Sequence, residues 1–284
     1  QDRFLHEIGG KGLFIKELED AMAKGEAHLA VHSLKDMPAK IPNGFDLAAV
    51  LKRHEPADVI IFRSDVWPKL GLRKDEMLTS NHLRALGALT VATASLRRQA
   101  LMTADCPQVK TVPVRGNVDT RLNKLEMKEN GWDALILAEA SLERLSIKNV
   151  HAHRLDPTWF IPCAGQGALA IETKSKTPAS REVAKLECKD TRTAVNVERA
   201  VLARLGGDCT MPFGCLVTRD PSQKSHYLAK AIVLANNGKS AKAEASIKSD
   251  MPEVETLLED SIIDGLRKNG ANEILGLLGI EVRI

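Results

Sequence analysis

The feature that most constrains this chain is an alternation of short apolar runs with longer, helix-spaced segments. In the clearest stretch a strand at Leu89–Ala94 leads into a helix from about Leu96, a strand at Val109–Val114, a helix at Asn117–Glu129 and a strand at Ala134–Ala138. Before it, helical spacing of Leu13, Leu18 and Met22 in Gly12–Gly25 precedes strand-like runs at Ala27–Ser33, Asp46–Leu51 and Asp58–Phe62. Such alternation predicts an α/β fold built on a mostly parallel, doubly wound sheet, with ligands at the carboxyl ends of the strands. Ser33, Ser95 and Arg115 fall at such ends. From about Arg181 the pattern changes to two helical segments (Arg181–Lys189 and Thr191–Leu205), two strand-like stretches (His226–Leu234 and Ala241–Ile247) and two more helices (Pro252–Lys268 and Ala271–Leu278), which predicts a small α+β domain. Asp156–Gln166, with two prolines and a Gly-x-Gly, reads as a crossover between domains.

A length of 284 residues suits two domains or three small ones. The net charge of +3 conceals a concentration. Residues 84–124 hold 7 basic and 2 acidic groups, whereas the flanking regions 1–83 (12 and 13) and 125–284 (21 and 22) each stand at −1. Aromatic residues make up only 4% of the chain, which argues against a base-stacking nucleic-acid surface. The longest uncharged stretch, Pro157–Ile171, is 15 residues with two prolines, short of the roughly 20 apolar residues that span a bilayer. Five cysteines without a C-x-x-C pair point to a reduced, cytoplasmic protein, and Cys209 has no His or Cys neighbours at zinc-ligand spacing.

Several short motifs carry possible chemistry. Gly9-Gly10-Lys11-Gly12 lacks the phosphate-loop frame and reads better as a hinge before a helix. In Val31–Pro38, Asp36 is a candidate acid or stabiliser of developing positive charge, with Lys35 beside it. A local His32-Ser33-Asp36 triad is disfavoured, because neighbours on an extended strand point to opposite faces. Ser95 is a natural N-cap before Arg97 and Arg98, and Arg115-Gly116-Asn117 repeats that geometry before Arg121. Guanidinium forks match carboxylates, so two such sites predict a ligand with several carboxylates. Cys209, on a glycine turn, is a candidate nucleophile or covalent anchor, while Cys163 and Cys188 read as packing residues.

Together the stretches GGKGLFIKELE, VHSLKDMP, ASLRRQ, RGNVDTRLNKL, ILAEASLERL, AGQGALAIE, ERA and GGDCTMPFG, in that order, resemble the porphobilinogen deaminase (hydroxymethylbilane synthase) family of tetrapyrrole biosynthesis. The resemblance implies two periplasmic-binding-protein-like doubly wound domains and a small C-terminal α+β domain. On this chain those are 1–53 with 166–185, 57–160, and 190–284. It implies a transferase, a cytoplasmic monomer, that joins four porphobilinogen units head to tail into hydroxymethylbilane with release of ammonia. Its dipyrromethane cofactor would be held by a thioether at Cys209, without a metal, nucleic acid or membrane. Asp36 matches the catalytic aspartate, with Lys35 beside it. Ser33, Ser95, Arg97, Arg98, Arg115 and Gly116 match cofactor contacts. Arg121, Arg144 and Gln166 match substrate contacts, and Lys11 and Phe14 a mobile loop over the substrate.

Two departures stand out. The family opens with a strand carrying R-x-S-x-L-A, then a helix and a strand, and none of these precedes Gln1, so they are absent from the visible chain, as expected of a segment cut away or lying outside it. Asp208 stands where the family has glycine, and a neighbouring carboxylate raises a thiol pKa. The rival readings are a two-domain binding protein for a polycarboxylate and an inactive, truncated form of the enzyme.

Overall fold

The computed structural model describes residues 10–38, 40–207, 211–282 and 284; of residues 10–14 it describes the backbone only. Helix α1 (Gly10–Lys24) begins two residues before its expected start and leads to β1 (Leu29–Ser33), a 3-10 turn at Leu34–Asp36 and β2 (Phe45–Val50). There follow β3 (Asp58–Phe62), α2 (Ser80–Ala85), β4 (Leu89–Ala92), α3 (Leu96–Asp105), β5 (Val109–Val112), α4 (Val118–Glu126), β6 (Ala134–Ala138), α5 (Glu139–Arg144) and β7 (His151–Arg154). The remainder is β8 (Leu169–Lys174), α6 (Pro178–Val183), α7 (Lys189–Arg204), β9 (Phe213–Arg219), β10 (His226–Leu234), β11 (Ser240–Lys248), α8 (Val254–Lys268) and α9 (Ala271–Leu277).

These strands form three sheets, ordered β1-β8-β2, β5-β4-β6-β3-β7 and β11-β10-β9. In the second, β3 and β6 are buried along their whole length. Ile60, Phe62, Ala134 and Ile136 enter one core with Leu101 and Met102 of α3, while Val59, Ile61, Leu135 and Leu137 enter another with Leu125 of α4. Helices on both faces explain why these strands read as continuous apolar runs. The first sheet is likewise covered on both sides, by Ile15 of α1 and Val195 of α7 on one face and Val183 of α6 on the other. In the third sheet, Ala229, Ala231 and Val233 of β10 pack toward α8, whereas Ile232 and Leu234 join the core of the second sheet.

The α/β class with two helix-flanked sheets and a C-terminal sheet domain stands, but the expected strand direction needs correction. Among the described strands only β4 lies parallel to its neighbours, β5 and β6; every other ladder is antiparallel. Periodicity marks a strand without saying from which end it is entered. Here β3 arrives directly from the first sheet, and β8 returns to it. That central strand, β8, begins three residues after the crossover expected at Asp156–Gln166, in a stretch where no strand is predicted.

Candidate active site

Two crossings between the first and second sheets, residues 51–57 and 155–168, bring the site residues together. Leu34, 1% exposed, anchors the turn after β1, and its amide donates to the Ala168 carbonyl at 3.0 Å. Gly165, at φ +72°, lies so close to this turn that an added Cβ would stand 3.1 Å from Leu34 and 3.2 Å from the Lys35 nitrogen. Gly167, at φ +85°, would meet the His54 carbonyl at 2.7 Å. Only glycine allows these contacts, which explains the spacing in Ala164-Gly165-Gln166-Gly167. Glu198 of α7 clamps the same crossing: it is fully buried, accepts from Arg53 Nη1 and Nη2 (2.6 and 3.0 Å) and takes the amides of Gly165 (2.7 Å) and Val217 (2.8 Å).

Arg97, Arg98 and Gln166 do meet, and what joins them is a carboxylate that the sequence reading missed. Asp58, 0% exposed at the start of β3, accepts from Arg97 Nη2 (2.8 Å), Arg98 Nε (3.1 Å) and Nη2 (2.7 Å), and Gln166 Nε2 (3.0 Å). Burial alone would raise the Asp58 pKa, but the two guanidinium groups override it and hold the carboxyl below its ordinary range. Burial likewise opposes the Arg97 charge, and Asp58 more than compensates, so its pKa is raised. Arg97 Nη1 also donates to the Ile161 carbonyl (2.8 Å), and Arg98 Nη1 to that of Ile136 (2.9 Å). Gln166 Nε2 donates to the Pro56 carbonyl at 2.7 Å as well. Much of the hydrogen-bonding capacity of these three residues therefore holds the crossing itself. Cys163, expected to be a packing residue, joins this polar cluster, with its thiol 3.5 Å from Gln166 Oε1.

Around this buried node stand further charged groups. Lys35 and Asp36 are partly buried in the 3-10 turn. Desolvation pushes the Lys35 pKa down; Cys163, Asp36 and Asp58 oppose the shift, and Arg98 adds to it. The Arg121 pKa is also lowered, by desolvation and by Arg98, with Asp36 opposing. Asp36 thus sits within electrostatic reach of Lys35 from the first sheet and Arg121 from α4. Arg121 Nε donates to the Gly116 carbonyl at 2.7 Å. Gly116 has φ +116°, where an added Cβ would meet Thr120 Cγ2 at 2.7 Å, so glycine is required.

Ser95 caps α3, its hydroxyl accepting the Arg98 amide at 3.5 Å, and Asn117 caps α4, taking the Thr120 amide at 2.9 Å. Arg115 is exposed. Arg144, on α5, reaches back to the first sheet: Nη1 approaches Ser33 Oγ at 3.4 Å and Nη2 donates to the Gly167 carbonyl at 2.8 Å. Lys11 and Phe14 lie in the first turns of α1, with side chains outside the description, and Cys209 and Asp208 fall outside the described residues.

Four cations, Lys35, Arg97, Arg98 and Arg121, therefore gather about two carboxylates, Asp36 and Asp58, and Arg144 stands beside Ser33 at the end of β1. Such a surplus of donors can hold a polyanion. Among the described residues no group of three His, Cys, Asp or Glu side chains is placed to hold a metal ion. No described helix is long and apolar enough to cross a membrane.

Known proteins share this chain's sequence over most of its length. The family described as porphobilinogen deaminase, dipyromethane cofactor binding domain, matches residues 1–182, and the porphobilinogen deaminase C-terminal domain matches residues 192–262. A porphobilinogen deaminase of Chromobacterium violaceum is 43% identical over 222 residues, covering 76% of this chain and 65% of that protein, slightly under two thirds of its length. One from Paraburkholderia phytofirmans is 36% identical over 283 residues, 98% of this chain and 76% of the relative. One from Ralstonia nicotianae is 37% identical over 286 residues, 99% of this chain and 79% of the relative. With both domain families matched in order along one polypeptide and relatives aligned across nearly all of it, the chain belongs to the porphobilinogen deaminase family.

Proposed function

We propose that this chain is a transferase that deaminates porphobilinogen and joins four units head to tail into hydroxymethylbilane, on a dipyrromethane attached at Cys209. The observation that supports the reading is that Asp36 lies within electrostatic reach of Lys35 in the same turn and of Arg121 on α4. Dipyrromethane bears several carboxylates, and the residues present suit it. The buried Nε atoms of Arg97 and Arg144 have no acceptor among the described residues, and Lys35 is partly desolvated. When bound, the group supplies the pyrrole carbon to which each new unit is added. Ser95, Lys35, Arg98, Arg115 and the Gly116 backbone would hold it.

The chain's own residues then divide the work. Ser33, Arg121 and Arg144 hold the carboxylates of the incoming porphobilinogen, and Gln166 acts by fixing Asp58 and the crossing. As the carbon–nitrogen bond breaks, its electron pair leaves with ammonia and positive charge develops on the pyrrole ring. The Asp36 carboxylate accepts the pyrrole N–H and stabilises that charge, an effect strengthened where surrounding protein lowers the local dielectric. Lys35 and Arg121 keep the carboxylate oriented. Lys11 and Phe14 are assigned to the family's loop over the substrate position. We assign three domains, 1–53 with 166–185, 57–160 and 190–284, in keeping with the three sheets, and a cytoplasmic monomer.

The test is incubation of the purified chain with porphobilinogen, following ammonia release and the linear tetrapyrrole, with intact-mass measurement for an adduct at Cys209. Asp36→Ala is expected to abolish turnover while circular dichroism and melting stay those of the parent. Near-normal product formation by this variant would remove Asp36 from the mechanism.

A further inference from the structure

A second hydroxyl faces the Arg144 site. Ser141 precedes Arg144 by three positions on α5, so the two side chains lie on the same side of one helical turn. With Ser33, Lys35, Ala138 and Gly167 they line a cavity of about 20 Å³, large enough for a single water-sized oxygen. Its lining is rich in donors. Arg144 Nη1 and Nη2 reach Ser33 Oγ and the Gly167 carbonyl, its Nε is buried without an acceptor, Lys35 contributes an ammonium, and the Ser141 hydroxyl has no hydrogen-bond partner among the described residues. No carboxylate lines the cavity.

We propose that Ser141 is a substrate-binding residue whose hydroxyl, together with the Arg144 guanidinium and Ser33, holds one carboxylate oxygen of the incoming porphobilinogen in this cavity. The inference rests on the function proposed above and adds a specificity contact to it. A cavity of this size seats a single oxygen of the carboxylate. Three donors from two sheets also fix the direction from which that carboxylate must come. Because Ser33 precedes the Lys35-Asp36 turn, an oxygen seated here ties the substrate to the segment that carries Asp36.

The experiment compares the parent with Ser141→Ala, alone and in an Arg144→Lys background, by steady-state kinetics with porphobilinogen and by thermal melting. The variant is expected to raise KM roughly tenfold, the low end of what losing one hydrogen bond to a charged acceptor brings, with kcat changed less than threefold and melting unchanged. In the Arg144→Lys background the same substitution is expected to raise KM less than threefold, since the two groups share one oxygen. An unchanged KM in the single variant, or an equal effect in both backgrounds, overturns the proposal while leaving the enzyme reading intact. A parent that forms no tetrapyrrole overturns that reading, and this inference with it.

Discussion

Removing the Asp58 carboxylate should be among the most damaging single changes available in this molecule. It is fully buried and accepts four hydrogen bonds, three of them from two arginines that are 3% and 7% exposed. Asp58→Ala leaves two buried guanidinium charges without a carboxylate, their remaining partners being the Ile161 and Ile136 carbonyls, Cys163 and the Phe160 ring. Breaking a buried ion pair from one side costs about 3–5 kcal/mol, and two arginines place this case at the upper end. For a chain of this size that corresponds to a fall in Tm of roughly 5–10 °C. The loss should be visible by calorimetry at pH 7, and Asp58→Asn, which keeps the shape and an acceptor oxygen, should recover less than half of it. The triple change Asp58→Ala, Arg97→Met, Arg98→Met should recover most of it, because no orphaned charge remains. A Tm for Asp58→Ala within 2 °C of the parent, or a triple variant no better than the single one, would refute the argument. The pH dependence follows from the depressed pKa. The contribution is fully present above the carboxyl's unfolded value, near 3.8, and is lost only as pH falls from there through the lower folded value.

Two further outcomes are expected. Glu198→Ala should lower Tm by an amount equivalent to about 3–5 kcal/mol and raise hydrogen exchange at Gly165 and Val217, whose amides it receives; protection unchanged at both would show that the clamp is redundant. At Glu19, burial and the neighbouring Glu172 carboxylate raise the pKa above the ordinary 4.5, so its contribution is favourable below the unfolded value and lost as pH rises through the folded one. Glu19→Gln should therefore raise Tm at pH 7 and change it less at pH 4, and the reverse order would contradict the assignment.

Features that depend on neighbours in the chain were legible from sequence. The caps Ser95 and Asn117 hold the helices they were expected to start, and β10 spans the same residues that its alternation predicts. Long-range partnerships were not. Asp58 opens an otherwise apolar strand and looks like a turn residue, since its partners stand 39, 40 and 108 positions away. Arg97 and Arg98 were read as ligand forks because nothing near them in sequence showed a carboxylate to occupy them. Strand β7, His-Ala-His-Arg, escaped notice because its buried histidine, His153, is satisfied by Trp67 and the Glu76 carbonyl rather than by apolar packing. β9 was hidden by the glycine turn that draws attention to Cys209.

The order of strands in the first sheet has a consequence for biosynthesis. Its middle strand, β8, starts 119 positions after β2 ends, so β1 and β2 emerge from the ribosome without the partner that lies between them. At about 5–20 residues per second the wait lasts on the order of 6–24 s. During that interval the intervening sheet has the local helices and most of the strands it needs, while two short strands with unpaired edges remain open to wrong partners. A nascent chain of this protein is therefore most exposed to aggregation not at its end but midway, and a chaperone would be most useful while residues 51–168 are being made.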